Sequence, residues 1–94
     1  MLTRKKVLAA KLNIDYALDW VDKTEYVTAR PIFNNRLNFN GLKITFHFSC
    51  GPINVTQILK LPLKTLIESN KLALRCQLVS EYKNFLNRLD EWGE

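Results

Sequence analysis

The residues able to do chemistry are few. The 94-residue chain holds one histidine, His47, and two cysteines, Cys50 and Cys76. A nucleophile needs an activating base and a further group to orient that base. His47 and Cys50 are three positions apart, so on a continuous strand they point to opposite faces and form no dyad. Together with Cys76 they are only three soft ligands without paired spacing, a poor zinc set. Asp15, Asp19 and Asp22 share one face of a helix, where paired carboxylates could hold Mg²⁺ or act as acid and base. Lys11 and Lys23 stand four residues from Asp15 and Asp19, the spacing of a solvated, ion-paired surface, and that is the reading adopted. With three glycines in all there is no Gly-rich phosphate loop. The inventory predicts a non-catalytic protein with no metal, no cofactor and no evident small-molecule substrate.

The charge distribution is more informative. The net charge is +5. Residues 1–25 hold five Lys/Arg against four Asp/Glu, and residues 68–94 hold four against five. Residues 26–67 contain Arg30, Arg36, Lys43, Lys60 and Lys64 and no acid, so the whole excess lies in the middle of the chain. A local field of one sign attracts polyanions or acidic proteins.

Composition bounds the rest. At 47% apolar and 24% charged residues, the chain reads as a single globular domain, 1–94, with one modest core. Two cysteines are too few for a disulfide framework, and free thiols in a reducing cytoplasm are the default, with one Cys50–Cys76 bridge as the alternative. Arg4-Lys5-Lys6 before VLAA imitates a signal peptide, but Lys11 and Asp15 interrupt the apolar run. No stretch reaches the ~20 apolar residues of a membrane span, so no membrane partner is expected and the predicted location is cytoplasmic.

Several elements must position these groups. The spacing predicts a helix from about Thr3, its N-cap, to about Asp22, with Val7, Ile14, Leu18 and Val21 on one stripe beside Ala10 and Ala17. Asn13 could instead cap a second helix, which invites a helix-turn-helix reading. That reading fails, because the recognition face would carry Asp15, Asp19 and Asp22 and repel phosphate. Tyr26 to Arg30 is β-prone, and Pro31 places it at a sheet edge or ends it.

The stretch FNNRLNFNGLKITFHF, Phe33 to Phe48, centres on Asn40-Gly41, a strong hairpin signal between alternating apolar residues. A two-residue turn there pairs Phe39 with Leu42, Leu37 with Ile44, Asn35 with Phe46 and Phe33 with Phe48. One face is then apolar, and Asn34, Arg36, Asn38, Lys43, Thr45, His47 and Ser49 form the other. Gly51-Pro52 ends the strand. Residues 53–61, INVTQILKL, alternate like a strand, yet Asn54 and Gln57 have capping-box spacing, and a helix from there or from Pro62 is preferred. Leu74, Leu78, Tyr82, Phe85, Leu89 and Trp92, with Val79 and Leu86 alongside, predict a long helix ending near Gly93. It is expected to pack on the apolar face of the hairpin.

The predicted fold is therefore α+β: a small antiparallel sheet centred on the 33–48 hairpin, covered on one face by an N-terminal helix and a long C-terminal helix. The uncovered face, with Arg36, Asn38, Lys43 and His47, is the candidate surface for DNA or RNA. Arg30 is assigned to the site with them, and Arg30, Lys60 and Lys64 would widen the footprint if the fold brings them alongside. The competing reading is an adaptor that binds an acidic protein, or a second copy of itself, through Tyr82, Leu89 and Trp92 on the C-terminal helix.

Overall fold

The computed structural model describes residues 3–92, with side chains through Glu91. Helix α1 runs Arg4–Asp22, followed by strands β1 Val27–Phe33, β2 Phe39–Cys50 and β3 Ile53–Pro62, then helices α2 Leu63–Glu68 and α3 Lys71–Trp92. The strands form one antiparallel meander in the order β1-β2-β3, and α1 and α3 flank it in sequence as predicted. The α+β class is the observed one.

Helix α1 starts where Thr3 Oγ1 accepts a hydrogen bond from Lys6 N at 3.2 Å, satisfying one of the free N–H groups of the first turn. It continues through Asn13 without a break. Its buried residues are Ala10, Asn13, Ala17 and Val21; Ala10, Ala17 and Val21 belong to the expected stripe, Asn13 joins them, and Val7 and Leu18 are exposed. The burial of Asn13 has a polar cause. Asn13 Nδ2 donates to the carbonyls of Leu66 (2.6 Å) and Ser69 (2.7 Å), which the end of the short α2 leaves without helical partners. Asn13 therefore closes α2 from the side instead of capping a helix of its own.

The sheet corrects the predicted hairpin. Asn40-Gly41 is not a turn. The β1–β2 connection is Asn34 to Asn38, where Leu37 N donates to Asn34 O (2.9 Å) and Asn34 Oδ1 accepts from the backbone N–H groups of Arg36 (2.9 Å) and Asn38 (3.1 Å). An asparagine side chain that mimics a backbone turn in this way sets the loop. Val27, Ala29 and Pro31 then lie opposite Phe46, Ile44 and Leu42. The register slips between Ile32–Gly41 and Phe33–Phe39, so Asn40 is the extra residue of a bulge. The physical reason lies at Phe46, which is fully buried. The Asn40-Gly41 turn would have set the Asn35 amide beside it on the buried face, whereas the observed register sets Val27 there. Pro31 is tolerated because β1 is an edge strand.

Residues 53–61 form a strand, correcting the preference for helix; only the start of a helix after Pro62 survives. Gly51-Pro52 is the two-residue loop of the β2–β3 hairpin, with Cys50 opposite Ile53 and Gly51 at φ 58°. A positive φ at the first turn residue suits the twist of the flanking strands and favours glycine.

All three helices lie over the face carrying Leu42, Ile44, Phe46, Val55 and Leu61. Leu66 of α2 and Leu74, Leu78 and Phe85 of α3 complete the core, and each fully buried side chain contributes about 1.5–3 kcal/mol by leaving water. Asn70 Oδ1 accepts from Ala73 N (2.7 Å) at the start of α3. Trp20, Phe46, Tyr82 and Phe85 form an aromatic cluster with centroid separations of 5.9–6.5 Å. Among the described residues, no helix is long and apolar enough to cross a membrane.

Candidate nucleic-acid interface

Because the helices sit on one side, the other side of the sheet is open. Residues directly opposite one another on neighbouring strands share a face. Lys43 on the central strand lies opposite Arg30 on β1 and opposite Lys60 on β3. Three cations therefore form a single row across the open face. The next row holds Thr28, Thr45 and Ile58, and beyond it His47 lies opposite Thr56, with their side chains in contact at 2.9 Å from Nδ1 to Oγ1.

Like charges placed directly opposite on adjacent strands destabilise a sheet. Among the described residues no carboxylate is ion-paired with this row. The open face is built from residues 28–60, a segment without Asp or Glu. Among the described residues the single ion pair is Lys23 Nζ–Asp19 Oδ2 at 3.0 Å, on α1 and exposed to solvent. That pair belongs to the solvated acidic face expected of α1. Arg88 of α3 adds a further cation at the β3 edge, its Nη1 donating to Thr56 O at 3.2 Å.

Of the predicted site residues, the fold unites Arg30 and Lys43 and sets His47 on the same face, four residues further along β2, about 13 Å away. Arg36 and Asn38 are not on the sheet. Both lie in the β1–β2 loop beyond the opposite end of the row, because the turn falls there and not at Asn40-Gly41. Lys60 enters the row as a full member; the alternation of INVTQILKL was the signal that places it. Lys64 sits on α2, in a cleft shared with Lys6, Asn40 and Glu68, apart from the row.

Two of the three residues assigned to a protein interface turn inward. Tyr82 and Leu89 are partly buried against the core, and Trp92 lies outside the described side chains. Burial, with the nearby Glu25 carboxylate and Tyr26, raises the Tyr82 phenol above its ordinary pKa, since each disfavours the charged form. Cys50 and Cys76 are free and exposed, and His47 contacts Thr56. Among the described residues no three His, Cys, Asp or Glu side chains converge as a metal set.

Comparison with known protein families, with curated proteins and with solved structures finds no match to this chain. The functional reading rests on the geometry.

Proposed function

We propose that the protein is a non-catalytic binding protein whose open sheet face engages nucleic acid. The observation that carries this reading is the Arg30–Lys43–Lys60 row, three cations held side by side on a face without acids. Such a row costs folding energy, and a polyanion offsets that cost by supplying the missing negative charge. The hydroxyls of Thr28, Thr45 and Thr56 and the His47 imidazole beside it suit phosphate oxygens and base edges.

Two measurements on one variant separate a functional row from an incidental one. Lys43→Glu converts two like-charge contacts into opposite-charge contacts, so it should raise stability by up to about 1 kcal/mol. The same change should weaken nucleic-acid binding at least tenfold. In the wild type, three phosphate contacts predict a loss of roughly 40-fold in affinity between about 50 and 200 mM salt. A salt-independent affinity, or a Lys43→Glu variant that binds as tightly as wild type, removes the reading.

A second reading has its own observation. Leu72 and Leu86 are exposed on α3 with the half-buried Val79 midway between them, a heptad-spaced line on the flank of the helix beside its core-facing stripe. It supports an adaptor that self-associates or docks a partner helix there, and not through Tyr82 and Leu89. Sedimentation of Leu72→Lys with Leu86→Lys tests it: an unchanged oligomeric state and unchanged protein partners would remove it.

A further inference from the structure

The rows of the open face bear on which nucleic acid it fits. Single strands are held by aromatic side chains on which successive bases stack. Among the described residues the open face presents no Phe, Tyr or Trp ring, and its one imidazole, His47, is held against Thr56 Oγ1 at 2.9 Å. Phe46 and Phe48 belong to the covered side of β2, and Tyr26, which precedes β1, is turned by its φ of 67° so that its ring meets Phe48 edge-on at 5.3 Å. Apart from the apolar Ile58, the groups of these rows are cations, hydroxyls and an imidazole, which are phosphate ligands and hydrogen-bonding groups for base edges.

The order across the sheet is equally specific. Arg30 and Lys60 occupy the two edge strands, and Lys43 the central one. Two inter-strand spacings separate the outer cations, about 10 Å before their long side chains splay. The major groove of B-form DNA is about 12 Å wide, bordered by two phosphate chains. Edge cations can therefore reach both borders, while Lys43, Thr45 and His47 on β2 face the groove between them. An RNA duplex has a major groove too deep and narrow for such a fit.

We infer that the ligand of this face is double-stranded DNA, with the Arg30–Lys43–Lys60 row laid across its major groove; this rests on the nucleic-acid reading above. The test is a titration of the full chain, at low salt, against a labelled DNA duplex, its separated strands and an RNA duplex of the same sequence. The DNA duplex should bind at least about tenfold more tightly than the other three. Guanine N7, which lies in the major groove, should be protected from methylation by dimethyl sulfate in the complex. Equal or tighter binding of a single strand or of the RNA duplex overturns the inference and leaves the broader reading standing. Duplex binding with N7 fully reactive overturns the major-groove placement. No binding to any of the four overturns both readings.

Discussion

Gly41 is where the observed register is most exposed to refutation. It sits inside β2, opposite Ile32 on one side and Pro62 on the other, at φ +153°. A Cβ built there runs into the Leu61 carbonyl oxygen and comes within 3.1 Å of Pro62 Cα, both of them backbone atoms. No side-chain rotation relieves that overlap, so the β2–β3 ladder must open at this end. Overpacking of this kind costs about 1–3 kcal/mol, and a rarely adopted backbone conformation a further 1–3 kcal/mol. We expect Gly41→Ala to lose roughly 3 kcal/mol of a total near 5–14 kcal/mol. In a domain of this size that lowers Tm by about 12–24 °C. Gly41→Asn is the sharper variant. Were Gly41 the second residue of an Asn-Gly turn, asparagine would be well accepted there. In the bulge it carries the same offending Cβ and should cost as much as alanine. The assay is thermal unfolding followed by far-UV circular dichroism, with urea titration for the free energies. A Gly41→Asn variant within about 0.5 kcal/mol of wild type would falsify the register and the row of cations that depends on it.

Three further outcomes follow from particular contacts. Asn13→Ala should cost about 2–4 kcal/mol in urea titration, because it leaves the Leu66 and Ser69 carbonyls without their donor in a buried site; a neutral effect would show that water replaces the amide. Leu37 is 82% exposed at φ 60°, so it gains little from burial while bearing the strain of a left-handed backbone. Leu37→Asn should therefore stabilise by roughly 0.5–1 kcal/mol, and a destabilised variant would mean the leucine has a structural contact. Tyr82 has a raised phenol pKa, so its neutral form is the one the fold favours. Its contribution is intact below pH ~10 and is lost as pH rises through the folded pKa, because the unfolded chain ionises first. A Tyr82→Phe variant should keep more of its stability than wild type above that pH, and identical alkaline profiles would contradict this.

Much of the fold was legible one element at a time. Thr3 as N-cap and the inward line of Leu74, Leu78 and Phe85 are local signals, and both stand. The parity of β2 also stands: Leu42, Ile44 and Phe46 are buried, and Lys43, Thr45 and His47 face the other way, because alternation depends only on the strand being extended. The site was legible to the same depth. Lys43 and His47 could be placed on a free face from β2 alone. Arg36 and Asn38 were misplaced because their assignment depended on which residues form the turn.

What the sequence determined by itself is the set of elements with strong periodicity, the side of β2 that faces the core, and the concentration of positive charge between residues 26 and 67. Tertiary structure decided which strands pair and in what register. Asn40-Gly41 has a strong local preference for a turn, worth less than keeping the Asn35 amide off the buried face beside Phe46. INVTQILKL is locally ambiguous and becomes a strand because β2 offers it a full ladder of partners. Asn13 is polar and locally a cap, yet it is buried because α2 ends beside it with carbonyls to satisfy. The row of Arg30, Lys43 and Lys60 exists only in the paired sheet. Residues far apart in sequence become neighbours through backbone hydrogen bonds that no local pattern encodes.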